Sequence, residues 1–247
     1  MFKTTNALVL REVKYKEADR ILTLLSDTDG KITVKARGAL RKSSKTAAAT
    51  QQLTYSEMTL FGNAGRYTVN EAIVKEEFKG LREDFEAFAL GTYFAECLEA
   101  LTVEDQPEAE VLQLGLNCLY ALSNALAEPL KIKAVFELRL MALSGYAPEL
   151  SSCSVCGEEK PDRIVLLPEH GCICCAKCVQ ERTERIELDE ESLEAMRFIL
   201  RAPAKKLLGF SIGDIALRKL SRAAERYLLT ATERGFSSLD YWKKIKL

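Results

Sequence analysis

Apolar and polar positions alternate through the first 75 or so residues. In KITVKARG, Ile32, Val34 and Ala36 fall on one side of an extended chain and Lys31, Thr33, Lys35 and Arg37 on the other. That is the period-two signature of a half-buried strand. NALVLREVKY and ADRILTLLSD are apolar-rich with β-branched positions, and the turn signal Thr28-Asp29-Gly30 joins the second to KITVKARG. LTYSEMTLF, the turn GNAG and RYTVNEAIV make a further hairpin. Five strands without a helical period predict a small closed or nearly closed antiparallel barrel, which leaves no exposed edge. Between the third and fourth strands, GALRKSSKTAAATQQ is polar, small and basic, and is expected to be a loop or a short helix.

The period changes near residue 79. LREDFEAFALGTYFAECLEAL places Phe85, Phe88, Ala89, Tyr93, Leu98 and Leu101 at helical spacing. A second helix follows Pro107, and a third begins at Pro129 and stops at Gly145 and Pro148. Helices resume with DEESLEAMRFILRA and IGDIALRKLSRAAERYLLTATERG, where Gly235 is a natural stop. The expected organisation is therefore a barrel domain over 1–78 and a helical domain over 79–247. A cysteine-bearing insert interrupts the helices at about 150–182. Cys97 and Cys118 lie inside apolar stretches and read as small core residues.

Composition is that of a globular protein, 47% hydrophobic and 29% charged, and no apolar run approaches the roughly 20 residues that span a bilayer. The N-terminus has no cleavage-type site after its short apolar patch, so a cytoplasmic protein is expected, with its eight cysteines as thiols or metal ligands. His170 is the single histidine, which argues against Ser-His-Asp, Cys-His and multi-histidine metal chemistry. The net charge of −1 conceals an asymmetry: residues 1–50 carry +6, 51–130 carry −10, 131–200 carry −4 and 201–247 carry +7. Basic ends around an acidic middle suggest a polyanionic partner met by a localised surface.

Two motifs carry chemistry. Cys153 and Cys156 form one C-x2-C pair and Cys175 and Cys178 a second, giving C-x2-C-x18-C-x2-C, in the range of a four-thiolate zinc ribbon. Two intervening residues let a tight turn aim both sulfurs at one ion, and Gly157 suits that turn. Cys172 with Cys175 is an alternative second pair, and His170 or Cys174 could replace a ligand. Four cysteine ligands leave no open position for water or substrate, so one structural Zn²⁺ is expected. The second motif is the run from 31 to 50, which has no acidic residue. Lys31, Lys35 and Arg37 share a strand face, Arg41, Lys42 and Lys45 follow, and Arg11 and Arg20 lie on neighbouring strands. Single-signed charge on a five-stranded barrel, with Tyr15, Tyr55, Phe61 and Tyr67 in range for stacking, points to nucleic-acid binding rather than a merely solvated face.

ALVLREVKYKEADRILTLLSDTDGKITVKARGALRKSSK resembles the opening of the bacterial recombinational repair mediator family RecO, through Ala7 to Leu10, Tyr15 to Ile21, Gly30-Lys31 and Ala36 to Ser44. FELRLMALSGYAPELSSCSVCG and GCICCAKC resemble its second and third signatures, in the family's order. The resemblance aligns the returning cysteine pair with Cys175 and Cys178; Cys172 then stands where the family has glycine, and Cys174 where it has an apolar residue. It implies an α+β multidomain protein: an N-terminal OB-fold barrel, then a helical domain with an inserted zinc module. It further implies a non-enzymatic mediator that binds single- and double-stranded DNA, anneals complementary strands and works with RecR to help RecA replace single-strand-binding protein. Such a protein would be nucleoid-associated, with no membrane and no small-molecule substrate. The acidic-apolar tail of single-strand-binding protein would be received by the helical domain, for which Lys205, Lys206, Arg218, Lys219, Arg222 and Arg226 are candidates. The alternative is a zinc-ribbon nucleic-acid-processing enzyme such as a nuclease. It would need clustered carboxylates, and the nearest set, Glu76, Glu77, Glu83, Asp84 and Glu86, sits where acids favour a helix start.

Overall fold

The alternation in the first part of the chain closes on itself. The computed structural model describes residues 1–63, 66–159, 163–180 and 183–245. In chain order the elements are β1 (Phe2–Tyr15), β2 (Asp19–Ser26), β3 (Gly30–Ala36), β4 (Tyr55–Asn63), β5 (Arg66–Glu76), α1 (Lys79–Glu83), α2 (Phe85–Leu101), α3 (Ala109–Ser123) and α4 (Pro129–Leu143), followed by β6 (Ile164–Leu167), β7 (Cys172–Cys175), β8 (Ile186–Leu188), α5 (Glu190–Arg201), α6 (Asp214–Ala231) and α7 (Ser237–Ile245). Two compact units result: Met1–Asn124 with Phe236–Leu247, and Ala125–Gly235.

In the first unit the five strands form a closed barrel in the order β1-β2-β3-β5-β4. All pairings are antiparallel except β3 with β5, so the barrel is OB-like. Alternate residues Ala7, Val9, Leu22, Leu24, Ile32, Val34, Met58 and Leu60 fill its interior. Bulges at Leu10 of β1, between Val9 and Arg11, and at Asn70 of β5, opposite Thr59 and Leu60, bend strands that would otherwise be too flat to close. Gly30 turns the chain between β2 and β3 at φ +66°, and a Cβ there would lie 1.9 Å from the Gln106 carbonyl oxygen; only glycine fits. The second half of the GNAG turn, Ala64 and Gly65, lies outside the described residues. The segment 37–54 is neither a helix nor a free loop but a chain of successive turns.

Asp84 caps α2 by accepting from the Ala87 N–H at 3.0 Å. Helix α7, which lies beyond the expected stop at Gly235, buries Leu239 and Trp242. Glu96 of α2 accepts from the Ser238 backbone N–H at 3.0 Å, and Phe236 meets Tyr93 edge-on at 5.8 Å. Cys97 and Cys118 are buried in α2 and α3, and burial pushes the Cys118 thiol up to about 12. Both are inert core residues.

In the second unit α4 is covered nearly all round. Lys133 and Glu137 within it are both 0% exposed; the Lys133 ammonium lies 2.7 Å from Glu137 and 2.9 Å from Glu225 of α6. Buried charge is tolerated there because it is paired. Asp189 and Ser192 form a reciprocal capping box that starts α5. The cysteine segment builds a small sheet in the order β7-β6-β8.

Candidate nucleic-acid interface and metal centre

The eight basic residues singled out in the barrel are put to different uses. Arg11 forks onto the Glu99 carboxylate of α2, with Nη2 at 2.7 Å and Nε at 3.0 Å. Lys31 donates to the Glu99 backbone carbonyl at 2.8 Å. Arg20, only 9% exposed, points into the end of the barrel. Its Nη1 donates to Ala47 O and Thr50 Oγ1, each at 2.9 Å, and its Nε faces Glu12 at 3.4 Å. Arg20 thus ties down the turn segment from below, and Arg82 ties its far end through Gln52 O and Thr54 Oγ1. Lys35 pairs with Asp19 at 2.9 Å and lies 4.9 Å from the Tyr15 ring centroid. Lys35 and the Gly38 N–H hold the Asp19 carboxyl below the ordinary carboxylate range. Arg37, Arg41, Lys42 and Lys45 are exposed and have no ion pair among the described residues. Four free cations thus follow one another on an anchored, turn-built edge of the barrel, and Arg66 lies exposed at the start of β5.

Nothing in the sequence marked Arg20 as buried. A lone arginine in a strand looks the same whether it meets solvent or a backbone carbonyl, and only the turns at 47–50 supply the acceptor.

The metal centre is assembled by two tight turns. Gly157, at φ +77°, donates to the Cys153 carbonyl at 2.9 Å and closes the first knuckle. β7 and the turn after it carry the second pair. The sulfurs of Cys153, Cys156, Cys175 and Cys178 all lie within 4.8 Å of one another, and no other group of histidine, cysteine or acidic residues among the described residues is close enough to hold an ion. A tetrahedral site with Zn–S near 2.3 Å has sulfurs about 3.8 Å apart; Cys156 and Cys175 are separated by 3.6 Å. Burial alone would raise the Cys153 thiol, but N–H groups of Cys156, Cys175 and Val155 aimed at its sulfur bring it down to about 5. Burial pushes Cys175 up to about 12. Four thiolates this close repel one another, and a dication offsets the repulsion. The donor set therefore fits a closed metal site.

Cys172 and Cys174 turn toward Ser154, at 3.4 Å and 3.3 Å from its Oγ. His170 is exposed in the turn before β7. Residues 160–162 and 181–182 of the module lie outside the described residues. In the second basic region Lys219 pairs with Asp189 and Arg226 with Glu184. Lys205, Lys206, Arg218 and Arg222 are exposed, with Arg218 and Arg222 one turn apart on α6. Among the acids of the nuclease alternative, Asp84 is spent as a cap and Glu76 accepts from the Phe78 N–H at 2.9 Å. Among the described residues no helix is long and apolar enough to cross a membrane.

The chain matches the family model described as Recombination protein O N terminal over residues 1–78 and that described as Recombination protein O C terminal over residues 82–240. It is similar to DNA repair protein RecO of Acetivibrio thermocellus, at 35% identity over 98% of this chain and 96% of the relative. Proteins of the same description from Symbiobacterium thermophilum and Alkaliphilus metalliredigens are each 29% identical, over 96% and 99% of this chain and 94% and 100% of the relative.

Proposed function

The chain belongs to the RecO family of DNA repair proteins, and from that premise we propose that it is a DNA-binding recombination mediator rather than an enzyme. It binds single- and double-stranded DNA through the barrel, anneals complementary strands, and with RecR helps RecA load onto DNA coated by single-strand-binding protein in the cytoplasm. The observation that carries this role is the run of free cations Arg37, Arg41, Lys42 and Lys45 on a segment pinned by Arg20. Unpaired cations on an anchored edge can neutralise phosphates without first breaking internal ion pairs. A Zn²⁺ held by Cys153, Cys156, Cys175 and Cys178 serves as a structural clip for the inserted module and takes no part in chemistry. In the helical part, the exposed Arg218 and Arg222, with Lys205 and Lys206, are positioned to meet the acidic tail of single-strand-binding protein; Lys219 and Arg226, already paired, contribute less.

The test is a titration of labelled single-stranded DNA at several salt concentrations, for wild type and for a variant with Arg37, Arg41, Lys42 and Lys45 all changed to Gln. Wild-type binding is expected to weaken with salt. The variant's log–log salt slope should be shallower by up to about 2.8, at about 0.7 per lost phosphate contact. An unchanged slope would refute the site, and strand cleavage on adding Mg²⁺ would refute the non-enzymatic role.

A further inference from the structure

The strand registers place six residues in one row around the outside of the barrel. Val13 pairs with Ile21, Ile21 with Lys35, Lys35 with Thr68, Thr68 with Phe61 and Phe61 with Phe2. Ile21, Lys35, Thr68 and Phe61 each neighbour a core residue in sequence and so point outward; Val13 and Phe2, registered opposite Ile21 and Phe61, share that face. Part of the outer face is sealed: Leu8 and Leu25, a registered pair, are both 0% exposed, and helix α2 packs over β1 and β2. Both ends of the row are bare, with Ile21, Lys35 and Thr68 half-buried between them. Phe2 is 57% exposed, Phe61 52%, Val13 46%, and Tyr15 beside the row 44%. The Phe2 and Phe61 rings lie 4.9 Å apart, tilted by 49°.

Two large aromatics packed on each other and left in water make an apolar patch on the barrel, and the surrounding charge says which partner suits it. Lys35 stands within the row, beside the Tyr15 ring. Arg37 and Arg66 flank it, exposed and without an ion pair among the described residues. Asp19, the acid registered opposite Tyr15, is held by Lys35. Exposed π-faces beside cations match a single nucleic-acid strand, whose bases stack while its phosphates meet the charges. An acidic-apolar peptide would match the cations, but it would not require two aromatic faces at the edge of the row.

We infer that Phe2 and Phe61 form a base-stacking step, so that a single strand crosses the barrel along this row, from the cationic strand β3 over β5 and β4 to the start of β1. The inference rests on the DNA-binding role proposed above. It extends the contact surface well beyond the basic run at 31–45, at roughly 4.8 Å per strand crossed. It also supplies selectivity: unpaired bases can stack on the rings, whereas duplex bases already stack on each other.

The experiment compares wild type with Phe2→Ala, Phe61→Ala and Phe61→Tyr in the full-length chain. The probe is an oligonucleotide carrying 2-aminopurine, titrated at three salt concentrations alongside a duplex of the same length. Each alanine variant should bind the single strand about fivefold to a hundredfold more weakly, the range for loss of one base–aromatic stack. Its salt slope should be unchanged, because no phosphate contact is lost. Duplex binding should hold, the quenching of 2-aminopurine should diminish, and Phe61→Tyr should retain wild-type affinity. Single-strand binding that is undiminished in both alanine variants overturns the stacking step while leaving the DNA-binding role intact. A salt slope that falls in the alanine variants, or an equal loss on duplex, overturns it as well. Failure of the wild type to bind either probe would instead sink the role on which it rests.

Discussion

Barrel strands run from 7 residues in β3 to 14 in β1, whereas the strands of the cysteine module have 4, 4 and 3 residues. The barrel interior is aliphatic, built from Leu22, Leu24, Val34, Met58, Leu60 and their neighbours. The module's own cluster consists of Val165 and Leu167 with Cys153, Cys174 and Cys175. Long alternating strands bury enough apolar surface to offset the entropy of ordering them. Strands of three or four residues do not, and there the proposed metal tie would substitute for the missing core. The two regions differ accordingly: the barrel leaves aromatics and cations in solvent, while the module gathers four cysteine sulfurs about one point.

Removing the tie should break that contrast most visibly. Zn²⁺ binding to comparable structural sites contributes about 10–16 kcal/mol of apparent free energy. Chelation or Cys153→Ser is therefore expected to abolish amide-exchange protection over residues 151–159 and 163–180 while barrel amides keep theirs. Retained protection in the metal-free module would refute the clip. Cys172→Ser, whose sulfur faces Ser154, should bind metal at the wild-type ratio. In the barrel, by contrast, the weak point is a methylene rather than a ligand. Leu24→Ala, at a fully buried position, should cost about 2–5 kcal/mol in denaturant unfolding, with metal content unchanged. A loss below about 1 kcal/mol would mean that the interior closes around the cavity.

These differences also explain what could be read from the sequence. The barrel strands were legible because inward and outward residues alternate over whole strands, and the four-cysteine group because ligand spacing is a local constraint. The strand order, with β3 beside β5, was not legible, since pairing is settled by closure rather than by any one strand. For the same reason the row linking Lys35, Thr68, Phe61 and Phe2 could not be seen: register becomes visible only when strands are paired. The short sheet of β6, β7 and β8 was missed because strands this brief carry no period. Helix α7 was missed because Gly235 reads as an end, and only packing of Leu239 and Trp242 makes the following nine residues a helix. Lys133 and Glu137 showed that charge is no safe guide to exposure: each is buried because the other is there.

The smallest expected effect concerns acid, which reaches the two regions by different routes. In the module, protons would compete with a bound metal for the thiolates. In the barrel they act on the turn between β2 and β3. Burial raises the Asp27 and Asp29 carboxyls, but hydrogen bonds outweigh it, from Asn6 and Thr5 to Asp27 and from Lys3 and Thr28 to Asp29, and both lie below their ordinary value of 3.8. A carboxyl depressed by folding stabilises the folded state fully above its unfolded pKa, and that stabilisation is lost as pH falls through the lower folded value. The barrel should therefore hold its stability down to about pH 4 and lose this contribution below it. Asp29→Asn removes the ion pair to Lys3, 2.7 Å long and about a quarter exposed on each side, and should lower stability at pH 7 by about 1 kcal/mol while flattening the acid limb. Unfolding curves of the two proteins that run parallel from pH 7 to pH 2 would show that Asp29 carries no acid-sensitive stability.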